Sequence, residues 1–68
     1  MEEFKGLKMP DEILNYALEQ EKKTHNFYSR MAINCRVTVV RELIEQLKEE
    51  EYKHIKLIEG MLIRLRSG

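Results

Sequence analysis

The sequence predicts an all-α fold: an antiparallel helical hairpin that pairs with a second chain into a four-helix bundle. Three observations predict it. Apolar residues recur with helical period along two long segments separated by a short break. The chain has only 68 residues, so it is one domain or less with a modest core. Two amphipathic helices alone leave half of each apolar stripe wet, and a C2 partner carrying the same hairpin is the natural cover.

Each element follows from local signals. Residues 1–9 form a lead containing Gly6, without clear period. Pro10-Asp11-Glu12 marks a helix start, with proline in the first turn and acids at the positive end of the helix dipole. From there Ile13, Leu14, Ala17, Leu18, Tyr28, Met31 and Ala32 share an arc of roughly 140° at about 100° per residue. A first helix is expected over about 10–34. Asn34-Cys35-Arg36-Val37-Thr38 is the turn, with Asn34 able to cap the first helix and Thr38 to open the second. The second helix is expected over about 38–66. Its stripe runs through Val40, Leu43, Ile44, Leu47, Ile55, Ile58, Met61, Leu62 and Leu65. Gly60 points away from that stripe, and Ser67-Gly68 is a frayed end.

Composition narrows the function classes. Twelve basic and twelve acidic residues cancel, which argues against nucleic acid as a partner. No run approaches the roughly 20 apolar residues of a membrane span. The first residues, Met1-Glu2-Glu3-Phe4-Lys5, lack the apolar core of a signal peptide. Cys35 is the one cysteine, so no disulfide forms within a chain. A reducing, cytoplasmic setting is the expectation.

The chemistry lies in residues that break the apolar pattern. Glu21 sits near the centre of the first stripe, Glu51 near the centre of the second, and His54 one turn after Glu51. An ionised carboxylate in a dry core costs several kcal/mol unless compensated. Two inward carboxylates plus an imidazole read as metal ligands. In a dimer they double to four carboxylates and two imidazoles, the inventory of two-metal carboxylate bundles: a Glu from each of two helices and Glu-x-x-His from each of the others. Iron is the expected metal, two per dimer, with manganese or zinc also suited to these donors.

Two segments carry a family resemblance. Glu21-Lys22-Lys23-Thr24-His25-Asn26-Phe27-Tyr28 resembles a Glu-x6-Tyr pattern on the first helix of ferritin-like proteins. Leu47-Lys48-Glu49-Glu50-Glu51-Tyr52-Lys53-His54 resembles their Glu-Glu-x-x-His segment. The chain thus resembles the ferritin-like superfamily, in particular rubrerythrins and the short encapsulated ferritins, over about residues 13–62. The resemblance implies iron at Glu21, Glu51 and His54, with Tyr28 beside the metal. Three departures matter. A second hairpin is missing, so another subunit must complete the site. A four-cysteine electron-donor domain is missing, so peroxide reduction needs an external reductant. Gln20 and Lys23 stand where encapsulated ferritins carry extra acids, and no compartment-targeting tail follows Arg66.

Other residues have plainer readings. His25 is a boundary histidine or an alternative ligand, Tyr52 is interface packing, and Met31 and Met61 are core filler. Glu50 is a solvated acid or a partner that orients His54. Cys35 is incidental to the turn. The expected function is oxidation of Fe(II) by oxygen or peroxide at Glu21, Glu51, His54 and Tyr28, in a homodimer or a larger ring, in the cytoplasm or inside a protein compartment. The alternatives are a non-catalytic hairpin dimer that binds other proteins and a structural divalent-metal site.

Overall fold

The computed structural model describes residues 9–67. The readings of the lead with Gly6 and of Gly68 fall outside the described residues. Helix α1 spans Pro10–Asn34 and helix α2 spans Thr38–Ser67, and the two pack as a hairpin. Met9 precedes α1 in extended conformation, and Pro10 occupies the first turn, where a missing N–H removes no helical bond. The Ile13 N–H donates to the Met9 carbonyl at 3.1 Å and closes that turn. Asp11 and Glu12 stand beside the unpaired N–H groups at this end, and Arg64 and Arg66 stand in the last turn of α2. Both placements favour the helix dipole.

The turn is built differently from the cap that its asparagine suggests. Asn34 stays helical, and its side-chain amide donates back to the Arg30 carbonyl at 2.9 Å. Cys35 follows in extended conformation, and no described residue has positive φ. The chain therefore leaves α1 without a left-handed residue. The Arg41 guanidinium holds the exit instead, its Nε donating to the Cys35 carbonyl at 3.1 Å. The Arg41 N–H reaches the Val37 carbonyl at 2.9 Å, so the first bond of α2 is accepted one residue before Thr38.

The interior is thin. Ala32, Ile44, Ile55 and Leu62 are the buried apolar residues among those described. They come from the facing sides of the two helices, with Ala32 and Ile44 near the turn and Leu62 at the other end. Leu14, Ala17, Leu18, Tyr28 and Ile58 are half-buried. Much of each stripe is open: Ile13, Met31, Val40, Leu43, Leu47, Met61 and Leu65 are exposed. Met31 and Met61 are thus not core filler in the single chain; both lie on the side that α1 and α2 cannot cover for each other. Among the described residues, no helix is long and apolar enough to cross a membrane.

Candidate metal centre

The antiparallel hairpin sets the middle of α1 beside the middle of α2, and three chemically active side chains meet there. Glu21 projects from α1; Glu51 and His54, three residues apart, project from one side of α2. One donor atom from each lies within 4.8 Å of the other two. The His54 Nδ1 is 3.5 Å from Glu21 Oε1 and 3.8 Å from Glu51 Oε2. Donors bound to one ion at about 2.1 Å sit roughly 3–4 Å apart, so the spacing suits a shared cation.

The three side chains differ in exposure in an informative way. Glu51 is 17% exposed, Glu21 28% and His54 46%. The Glu51 Oε2 is buried and has no hydrogen-bond partner among the described residues. A carboxylate oxygen out of water without a donor is costly, and native structures rarely tolerate one without a reason. A metal ion would satisfy it. Oxygen donors and an imidazole together suit iron, manganese or zinc. On donor chemistry, spacing and this orphaned oxygen, the residues present fit a metal.

His54 is the most exposed of the three because it stands on the open side of α2. Helical spacing puts Val40, Leu43, Leu47, Met61 and Leu65 on that same side. Near the turn, Phe27 and Met31 of α1 line one groove with Val40 and Ile44 of α2.

The remaining candidates have other neighbours. Tyr28 is half-buried two turns beyond Glu21, its ring 6.0 Å from that of Phe27. No described hydrogen bond joins it to the three donors. His25 lies across the hairpin, its ring 6.4 Å from Tyr52, in a groove lined also by Glu45, Lys48 and Glu49. Tyr52 is half exposed, and the Lys56 ammonium stands 5.3 Å over its ring. Tyr52 first, and then Glu59 at 3.4 Å, hold the Lys56 ammonium above the ordinary lysine pKa. This arrangement of Tyr52, Lys56 and Glu59 left no mark in the apolar period, because all three lie outside the stripe. Glu50 faces solvent and pairs with Lys53 at 3.7 Å, while His54 approaches Glu21 and Glu51. Cys35 is half-buried in the turn, its Sγ 3.5 Å from the Val37 carbonyl.

Comparison with known proteins adds one finding. No curated protein and no solved structure matches the chain. The family model described as Rubrerythrin matches residues 12–68, which span both helices and all three clustered donors. The hairpin and its carboxylate–histidine cluster therefore have a family to which they answer. The chain belongs to the Rubrerythrin family, a di-iron family of the ferritin-like superfamily whose members typically bind iron.

Proposed function

We propose that this protein is a di-iron carboxylate protein that oxidises Fe(II) with oxygen or peroxide at a centre shared between two subunits. The observation that carries the reading is the buried Glu51 Oε2, which has no hydrogen-bond partner among the described residues and stands 3.8 Å from the His54 imidazole. Membership of a di-iron family supports it.

One chain holds three donors, too few for two ions. Two chains hold four carboxylates and two imidazoles, enough for two ions with coordination positions left over. Ferrous ions held there would supply the electrons: two of them, with two protons, would convert one peroxide to two waters or one oxygen to peroxide. The protein's part is to place charge and keep order. Glu51, the most enclosed donor, would hold the ions together with Glu21 and His54. Four carboxylates balance two divalent charges, which removes the cost of burying either. The surrounding apolar side chains hold the ligands in place and restrict water. Turnover with peroxide requires a reductant that returns the iron to Fe(II). A bundle of this size encloses no storage cavity, so storage would need a larger assembly.

Metal analysis of wild type and Glu51→Ala, after anaerobic loading with Fe(II), tests the reading. About one iron per chain in wild type, lost in the variant, is the expected result. Oxygen or peroxide should then oxidise the bound ferrous ions faster than ferrous ions free in buffer. Zinc or manganese bound tightly without oxidant chemistry would leave a structural metal site. No metal at all in wild type would overturn the reading and leave an interaction bundle.

A further inference from the structure

The even balance of charge over the whole chain hides a local imbalance. Residues 22–41, from the middle of α1 through the turn to the start of α2, hold five of the twelve basic residues and none of the twelve acidic ones. Three of the five are arginines at the turn end, Arg30, Arg36 and Arg41, and all three are exposed. The ion pairs among the described residues lie elsewhere, and none engages these arginines. Arg41 gives its Nε–H to the Cys35 carbonyl, which leaves the two terminal amino groups of its guanidinium for a partner. The first turn of α2 carries no acid, so the positive end of that helix also lacks a counter-charge.

The same end is apolar in places that the hairpin does not require. Ile33 is 83% exposed, Val39 70% and Val37 57%. None belongs to either apolar stripe, so burial of the stripes accounts for none of them. Exposed aliphatic residues scattered singly are ordinary. Three of them within seven residues, interleaved with arginines at one end of a slab 45 Å long, mark a contact surface. Arg30 and Ile33 stand one turn apart on the same side of α1.

We propose that the turn end of the hairpin docks on the surface of an anionic lipid bilayer. Ile33, Val37 and Val39 enter the boundary between headgroups and acyl chains, while Arg30, Arg36 and Arg41 meet the lipid phosphates. Nucleic acid would match the arginines but offers little to aliphatic side chains, which do not stack on bases. A bilayer with anionic headgroups meets both kinds of residue. The contact is peripheral, since no described helix is long and apolar enough to cross a membrane. It is also reversible, because each cation brought to such a surface strengthens binding only about fivefold. The start of α2 lies about 20 Å from Glu51 at about 1.5 Å per residue. Docking there leaves the candidate metal centre untouched and needs no metal.

Flotation of the full-length, metal-free protein with lipid vesicles tests the proposal. Binding is expected to vesicles of about two parts phosphatidylcholine to one part phosphatidylserine, with little to phosphatidylcholine alone and a loss as salt is raised. Arg36→Gln should weaken binding about fivefold. Arg66→Gln, the same charge change at the opposite end of the hairpin, should leave it unchanged. Ile33→Ser should weaken it several-fold by removing an inserted side chain. Arg36, Arg66 and Ile33 are all exposed, and circular dichroism verifies that each variant is folded. The chain has no tryptophan, so Val39→Trp supplies a lone indole whose emission should move to shorter wavelength when anionic vesicles are added. Equal binding to both kinds of vesicle overturns the proposal, as does equal weakening by Arg36→Gln and Arg66→Gln. An indole emission that stays put in vesicle-bound protein overturns it too, because another surface then makes the contact. So does the absence of vesicle binding at low salt, whether Arg36→Gln and Ile33→Ser then weaken binding to single-stranded RNA or self-association by sedimentation.

Discussion

Glu51 pulls stability in opposite directions depending on metal. Its Oε2 is buried without a hydrogen bond from the described residues, an arrangement whose desolvation costs about 1–3 kcal/mol. Replacing it with a methyl-bearing side chain removes that cost. In metal-free protein, Glu51→Leu should therefore raise stability by about 1 kcal/mol or more, read as a higher urea midpoint. In iron-loaded protein the order should reverse, because wild type alone gains the binding energy. A variant that is less stable than wild type in both states would argue that the carboxylate is a structural partner and not a ligand. His54 provides a separate check. A ligand imidazole must shed its proton to bind metal, and carboxylates likewise must be ionised. Acid should therefore weaken iron binding, and competition titrations at several pH values should show affinity falling as pH falls. His54→Ala should lower affinity by about tenfold or more.

At the scale of the helix, α1 and α2 are held by few buried residues, and each counts. Leu62 is 4% exposed. Leu62→Ala should cost about 2–5 kcal/mol, a large share of what a hairpin of this length can muster. Circular dichroism during thermal unfolding would register it as a strongly lowered midpoint or loss of the folded baseline. Gly60 runs the other way. A Cβ built there meets nothing within 4 Å, so Gly60→Ala should add about 0.5–1 kcal/mol by restricting the unfolded chain and favouring helix. A loss of stability instead would show that another backbone approaches Gly60 closely. The side-chain bonds along α1 and α2 follow one theme. The hydroxyls of Thr24, Ser29 and Ser67 each donate to the carbonyl four residues earlier, at 3.1, 3.0 and 2.9 Å. This lets polar residues sit within a helix without competing for a turn.

At the scale of the molecule, the hairpin is a slab 45 × 28 × 12 Å, about one helix thick. One layer cannot enclose a core, because each helix covers only one side of the other. The exposed face with Leu47 and Met61 is the direct result. If a second copy covers it, folding and association are linked, and the thermal midpoint should rise with protein concentration, since mass action favours the assembled state. Scanning calorimetry over a wide concentration range would show this. A midpoint independent of concentration would mean that the hairpin is stable alone. Leu47→Asp should abolish the concentration dependence and the iron uptake together, because it puts a charge at the centre of the face.

What could be read from the amino-acid order was what depends on period and local chemistry. Stripes with helical spacing from Ile13 to Ala32 and from Val40 to Leu65 specify two helices, because alternate structures would scatter those residues over both faces. Pro10 and the acids after it specify a start for the same kind of local reason. Glu21, Glu51 and His54 stood out because each occupies a place where the period calls for an apolar side chain. The tertiary structure decided what depends on three-dimensional proximity. It decided that the chain leaves α1 through an extended Cys35 held by Arg41 and not through a left-handed asparagine, a bond spanning six residues that no local rule contains. It decided that Glu51 is the enclosed donor with an unsatisfied oxygen while His54 stands half in the open, because burial is set by the facing helix and not by spacing along one. It also decided that Met31 and Met61 face outward in the single chain, since an arc wider than one neighbour can cover always leaves part of itself in water.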